Sequence, residues 1–315
     1  RADVRLVRHL SDLPFAELAG GSVVTIGAFD GIHLGHRQLL RRVVDVAMQE
    51  QLTAIAMSFE PTPKEFFMGD GAPPRLMRFR EKFEALAERK IDLFFCPRFD
   101  AAMRGISAAD FVRQILVHGL NTRHLVVGDD FQFARRREGS VDDLLRAGPA
   151  LDITVEQVPS ILVGDTRVSS TAIREALSAG DLDRATALLG RPYRMSGRIV
   201  RGRQVGRSLG YATANVDLRR RQSAVTGIYA VRVHGLPEGP VDGVASVGTR
   251  PTFDLTKPLL EVHLFDFDHD IYGAYIHVDF IRHLRDEERF ESVDELVAQM
   301  RIDEENARSA LGTKA

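Results

Sequence analysis

The chain has 315 residues, enough for two domains of ordinary size, each burying its own core. Lys and Arg number 42 against 44 Asp and Glu, a formal net charge of -2, which argues against a polyanion as the main partner while leaving room for local basic patches. The single cysteine, Cys96, excludes an internal disulfide and fits a reducing, cytoplasmic compartment. No apolar run approaches the ~20 residues that span a bilayer, and residues 1–10 hold no apolar signal core.

In the first half, apolar strand-like runs alternate with helical patterns. Residues 22–26 read as a strand. Residues 36–51 read as a helix with Leu39, Leu40, Val43, Val44 and Met48 on one face. Strand, helix, strand, helix and strand follow at 52–59, 80–89, 91–96, 108–117 and 124–127. This α/β alternation predicts a parallel sheet covered by helices, with ligands bound beyond the carboxyl ends of the strands. Residues 171–189 read as one or two helices broken near Gly180. Gly190-Arg-Pro192 then punctuates the chain, which predicts domains at 1–190 and 191–315. Beyond it, short β-type runs at 196–200, 227–233, 243–247, 259–265 and 274–281 predict an antiparallel β-barrel. A terminal helix over 292–310 opens on a capping box of Ser292 and Glu295.

The sharpest chemical feature is GAFDGIHLGH at residues 27–36, between a predicted strand and a predicted helix. Gly27, Gly31 and Gly35 let backbone approach a ligand closely, and the helix N-terminus supplies free N–H groups for phosphate. His33 and His36 can stabilise negative charge developing on phosphorus. A metal site finds no third ligand nearby, and the spacing matches neither a dinucleotide fingerprint nor a Walker loop. At residues 168–174, VSSTAIR, one hydroxyl is expected to cap a helix. Three hydroxyls followed by Arg174 exceed what capping needs and make a second anion cradle.

In the second half, GRSLGYATAN at 206–215 is a close-approach loop in which Thr213 and Asn215, at i and i+2, face one way in extended backbone. Few protein ligands are required for Mg²⁺ that shares phosphate oxygens with a nucleotide. Glu261 begins a run that is otherwise apolar at alternate positions, and a carboxylate near a phosphate loop is a candidate general base. The runs Arg135–137 and Arg219–221 read as solvated loops; a nucleic-acid-binding reading of them is the weaker one.

Paired with the late SSTxIR, GxFDGxHxGH resembles the nucleotidyltransferase superfamily. Gly128-Asp-Asp-Phe-Gln-Phe133, with Phe59-Glu-Pro61, resembles its FMN adenylyltransferase branch. The branch usually has Gly after the last Phe and Gly-Asp shortly beyond; here Ala134 and Gly139-Ser140 stand. From about residue 191 the order GRxLGxxTAN, GIYAV, GTRPTF, LEVHL, DxYG and LRxExxF resembles the riboflavin kinase family, with Ala212 where Pro is usual. Together they resemble the bacterial bifunctional riboflavin kinase/FMN adenylyltransferase family. The implied architecture is an N-terminal Rossmann-like nucleotidyltransferase domain followed by an antiparallel β-barrel domain with a terminal helix. The implied ligands are riboflavin, FMN, FAD and ATP with Mg²⁺, and neither nucleic acid nor membrane.

The resemblance also implies roles. His33 and His36 would stabilise the α-phosphate of ATP, with Gly27, Phe29, Asp30, Gly31 and Gly35 around it. Ser169, Ser170, Thr171 and Arg174 would hold the departing phosphates. Phe59, Pro61, Asp130, Phe131 and Phe133 would hold the flavin. In the barrel, Gly206, Gly210, Thr213 and Asn215 would bind ATP, the last two sharing its Mg²⁺. Glu261 would take the proton from the riboflavin 5′-hydroxyl, and Arg250 and Arg285 would touch the flavin.

Overall fold

The structure, a computed structural model, describes residues 4–201, 213–251 and 256–313, without the side chains of 250, 251, 256 and 257. Two compact units emerge. One holds residues up to Pro73 together with Phe79–Val168; the other holds Pro74–Arg78 and the chain from Ser169 onward. The helices between residues 169 and 190 therefore belong to the barrel unit as a compact body.

In the first unit, β1 (Arg5–Val7), β2 (Ser22–Ile26), β3 (Thr53–Met57), β4 (Leu93–Phe95), β5 (Thr122–Gly128) and β8 (Thr154–Val158) form a parallel sheet in the order β1-β4-β3-β2-β5-β8. Two short antiparallel pairs, β6 (Gln132–Phe133) with β7 (Gly139–Ser140) and β9 (Leu162–Val163) with β10 (Thr166–Arg167), lie outside it. Such a sheet is buried on both faces, and β2 is buried at every residue. The strand order reverses at β2: β3 and β4 lie on one side, β5 and β8 on the other. The crevice beyond the carboxyl ends of β2 and β5 is the topological switch point, where open α/β sheets bind ligands.

The helices of this unit are α1 (Leu34–Glu50), α2 (Pro63–Met68), α3 (Phe79–Ala87), α4 (Ala101–Gly105), α5 (Ala108–Asp110) and α6 (Val141–Ala147). The buried stripe of α1 is Leu40, Val43, Val46 and Ala47. It is rotated from the expected face, and Met48 points to solvent at 71% exposure. Most of the helix expected at 108–117 is wound, over residues 111–119, as a π-helix that closes with a bond from Leu120 N–H to the Ile115 carbonyl at 2.8 Å. β1, α2, α6 and β8 lack the long periodicity that marks the others.

In the second unit, α7 (Ser170–Ser178) and α8 (Leu182–Leu189) lead into a closed antiparallel barrel. Its strands are β11 (Tyr193–Val200), β12 (Thr213–Asp217), β13 (Gly227–His234), β14 (Val241–Pro251), β15 (Thr256–Leu264) and β16 (Tyr275–Arg285), in the order β11-β12-β15-β14-β13-β16. Closure leaves no free edge. Alternate residues of β15 fill the interior, with Leu260, Val262 and Leu264 buried. The terminal helix α9 (Val293–Leu311) packs Ala307 against Ala230 and Phe265. Ser292 caps it as expected, accepting from Glu295 N–H at 3.2 Å. The Glu295 carboxylate accepts from Glu291 N–H rather than closing the box on Ser292.

Candidate active sites

The GAFDGIHLGH turn leaves β2 at the switch point. Phe29 and Ile32 take left-handed backbone at φ 47° and 41°, and both are fully buried. The ring of Phe29 folds back under Gly27, where a Cβ would sit 3.2 Å from it, and meets His36 edge-on at 5.3 Å. The Phe29 ring thus packs against Gly27 and His36 within the turn. His33 is the N-cap of α1: its Nδ1 accepts from His36 N–H at 3.3 Å, and the two imidazoles stack at 3.7 Å.

An accepting Nδ1 carries no proton, so in this geometry His33 is neutral with its hydrogen on Nε2. Burial pushes its pKa down to about 4, against a smaller opposing pull from Asp30. Burial pushes His36 down as well, and His33 and Lys82 add to the effect. The pair therefore offers neutral N–H donors rather than fixed cations. Nδ1 of His36 is buried and makes no hydrogen bond among the described residues. Lys82 on α3 is almost wholly buried and close enough to act on His36, a cation that no sequence motif marks.

A pH dependence follows from His33. Between about pH 6.5 and about 4 the unfolded chain binds a proton that the folded chain refuses, so stability rises with pH across that window. The urea midpoint of the wild type is expected to fall more steeply on acidification through this window than that of His33→Gln. The extra slope is at most about 1.4 kcal/mol per pH unit. Parallel profiles for the two proteins would contradict the assignment.

Beside this turn lies a cavity of about 590 Å³. Its aromatic walls come from Phe59, Phe67, Phe99, Phe111, Phe131 and Phe133. Phe131 and Phe133 stack at 5.7 Å, and Phe99 meets Phe59 and Phe67 at 5.4 and 5.9 Å. Locally, Thr62 caps α2 in a full capping box with Glu65, with Pro63 at the first turn, which presents Lys64 and Phe67 to the cavity. Of the residues expected at the flavin, Phe59, Phe131 and Phe133 come together here. Pro61 and Asp130 do not line the cavity, and Asp130 is exposed and pairs with Arg167 at 2.8 Å. Phe99, Phe67 and Phe111 had no motif to announce them.

The two departures from the branch pattern have different consequences. Ser140 caps α6 in a capping box with Asp143, the same duty an Asp performs there. Gly139 is retained where a Cβ would strike the Phe133 ring at 2.5 Å. Ala134, by contrast, sits at φ 66°, ψ -174°, a conformation that is essentially glycine's and costs a side chain about 1–3 kcal/mol. Ala134→Gly is expected to stabilise the protein by about 1 kcal/mol after the added freedom of the unfolded chain is subtracted. Urea unfolding of the two proteins measures it, and an unchanged or lower midpoint would contradict the strain.

In the second unit, Ser169 caps α7, its hydroxyl accepting from Ala172 N–H at 3.1 Å, as expected for one of the three hydroxyls. Nε of Arg174 donates to the Pro74 carbonyl at 2.7 Å, tying the Pro74–Arg78 segment to α7. In the barrel, Asn215 lies directly opposite Glu261 across the β12–β15 ladder, and Thr213 opposite His263. Directly paired residues share a face, so Thr213, Asn215 and Glu261 are one cluster. A cavity of about 240 Å³ opens beside it, lined by Thr213, Val262, Leu264, Phe267, His269 and Tyr272 among others.

Arg285 behaves otherwise than expected. Its Nε and Nη2 donate to the buried Asp303 at 2.9 and 2.8 Å and Nη1 donates to the Asp286 carbonyl at 3.0 Å, which clamps α9 to β16. The hydrogen bond to Asp303 raises its pKa and fixes the guanidinium between β16 and α9. Gly206, Gly210, Ala212 and the side chain of Arg250 lie outside the described residues.

Comparison with known proteins settles the kinship. The FAD synthetase family model matches residues 16–172 and the riboflavin kinase model residues 189–311. The bifunctional riboflavin kinase/FMN adenylyltransferase of Escherichia coli (strain K12) is 44% identical over 98% of this chain and 97% of its own. The chain belongs to the bifunctional riboflavin kinase/FMN adenylyltransferase family. The Haemophilus influenzae member is 42% identical over 92% of this chain and 94% of its own. A crystal structure described as a macrolide-efflux protein from Streptococcus pneumoniae superposes with a TM-score of 0.82, at 30% identity, over 97% of this chain and 99% of that one. Among the described residues no helix is long and apolar enough to cross a membrane.

Proposed function

We propose that this chain phosphorylates riboflavin to FMN in residues 191–315 and adenylylates FMN to FAD in residues 1–190. The observation that carries the adenylyl half is an aromatic cavity beside a phosphate-binding turn at the switch point. Its size suits a planar ring system, and its aromatic walls favour stacking. The kinase half rests on the cross-strand pair of Asn215 and Glu261.

In the kinase step, Glu261 takes the proton of the riboflavin 5′-hydroxyl as its oxygen bonds to the γ-phosphorus of ATP, and ADP leaves. Thr213 and Asn215 hold the nucleotide phosphates; they fit Mg²⁺ brought with ATP, since both are oxygen donors on one face of β12. Bound there, Mg²⁺ neutralises phosphate charge. The 240 Å³ cavity, with Phe267 and Tyr272, suits the base of that nucleotide.

In the adenylyl step, an oxygen of the FMN phosphate attacks the α-phosphorus of ATP and the bond to the β-phosphate breaks, releasing pyrophosphate. His33 and His36 donate to the phosphorane oxygens, and Lys82 adds charge. For Ser169, Ser170, Thr171 and Arg174 as holders of the departing phosphates, and for Asp30, Gly31 and Gly35 around the α-phosphate, the support is the resemblance of their motifs. A cytoplasmic location fits the single, buried cysteine.

Positional labelling tests both reactions. Label in the γ-phosphate of ATP should enter FMN when riboflavin is supplied. Label in the α-phosphate should enter FAD when FMN is supplied. Label from the γ-position in pyrophosphate but none in FMN would remove the kinase half, and the reverse would remove the adenylyl half.

A further inference from the structure

Four cations line the aromatic cavity of the first unit: Lys64, Arg104, Arg136 and Arg137. Among the described residues no Asp or Glu lines it and none of the four side chains has a hydrogen bond or ion pair, although Arg136 lies near enough to Glu138 to help hold its carboxyl below the usual carboxylate range. Elsewhere in the same unit some exposed arginines are neutralised, as Arg80 is by Glu84 and Arg113 by Asp110, while others such as Arg98 and Arg123 are not, so the absence of a counter-charge is a feature of the cavity only together with its clustering of four cations.

The loop 134–137 separates its three arginines by task. Arg135 is structural: its Nε donates to Glu138 at 3.0 Å and its N–H to the Ile106 carbonyl at 2.9 Å. Glu138 in turn accepts from Ala108 N–H at 2.9 Å, so the loop is pinned to α5. Arg136 and Arg137 stand at φ 50° and 56°, following Ala134 at 66°. A solvated charge run needs no left-handed backbone at three of four positions. Such strain persists where surrounding structure imposes it, and it gathers at ligand clamps. The same short segment carries Phe131 and Phe133 in the cavity wall. One stretch of chain therefore supplies both aromatic seat and adjacent positive charge.

We propose that Arg136 and Arg137 recognise the 5′-phosphate of the flavin and so select FMN over riboflavin as the adenylyl acceptor. The inference rests on the adenylyltransferase reading given above. A phosphate monoester is largely dianionic at neutral pH and offers oxygens that planar guanidinium forks bind in pairs. Riboflavin, with the same ring and a neutral hydroxyl, satisfies the aromatic wall and gains none of these charge-assisted bonds, so FMN is favoured by what its phosphate adds.

The test uses the full chain and reads FAD formed from FMN and ATP. The probe is lumiflavin, which carries the ring without the ribityl phosphate, as a competitor of FMN. In the double variant Arg136→Gln/Arg137→Gln the KM for FMN should rise on the order of 10- to 100-fold. The inhibition constant of lumiflavin should stay within about 2-fold, because the ring seat is intact. Riboflavin phosphorylation should not change. Arg136→Lys/Arg137→Lys should recover part of the KM, since charge returns without the fork. An unchanged KM, or a KM and a lumiflavin constant that rise together, would overturn the proposal. Lumiflavin failing to compete in the wild type would instead remove the flavin from this cavity, and the proposal with it.

Discussion

Glu261→Gln is expected to lower the turnover of riboflavin phosphorylation by roughly 10²–10⁴. Glutamine keeps the size and reach of the side chain and cannot take a proton as a base. The position argues for a role in the step itself. Glu261 faces Asn215 on one neighbouring strand and Ser246 on the other, in the middle of a hydrogen-bonded ladder, so its place is set by three strands rather than by a loop. Binding of riboflavin and ATP should change little, because a base acts mainly in the transition state. FAD formation from supplied FMN should be untouched, since the residues of that reaction's cavity belong to the other compact unit. A variant with full kinase turnover would leave Glu261 as an ordinary strand residue.

His36→Ala is expected to cut FAD formation by roughly 10²–10³ while riboflavin phosphorylation continues at the wild-type rate. The imidazole is wedged between the stacked ring of His33 and the edge of Phe29, which fixes its orientation before any ligand arrives. A preorganised donor is worth more than a mobile one because nothing has to be reoriented as charge develops. His36→Asn retains an N–H donor at shorter reach and should recover part of the rate, which an empty alanine site cannot. Equal loss of both activities would show that the substitution acts through the fold.

The period of the apolar residues alone makes β2, α1 and five of the six barrel strands legible in the sequence, while β12, with Thr213 and Asn215, is too short and polar to show by that period; GxFDGxHxGH falls where a strand hands over to a helix. The chain order of the strands does not show that β2 and β5 flank the switch point. That follows from crossovers, and it is what places residues 27–36 and 128–133 at the ends of neighbouring strands. The aromatic cavity is likewise a tertiary object. Phe59, Phe67, Phe99, Phe111 and Phe131 come from five separate segments, and an isolated Phe in a sequence reads as core. Arg285 illustrates the opposite case: its neighbourhood in a family pattern suggests a ligand, while the carboxylate that claims it lies 18 residues on, in α9. Arg136 and Arg137 read as a solvated run because backbone conformation, invisible in a residue list, is what sets them apart.

One incubation tests the central claim most directly. The purified protein is given riboflavin, ATP and Mg²⁺, and the flavins are separated by chromatography over time. The account predicts that FMN appears first and FAD follows at its expense, with ADP and then pyrophosphate released. Riboflavin left unchanged, or FMN that accumulates without any FAD even when FMN and ATP are supplied in excess, would contradict it.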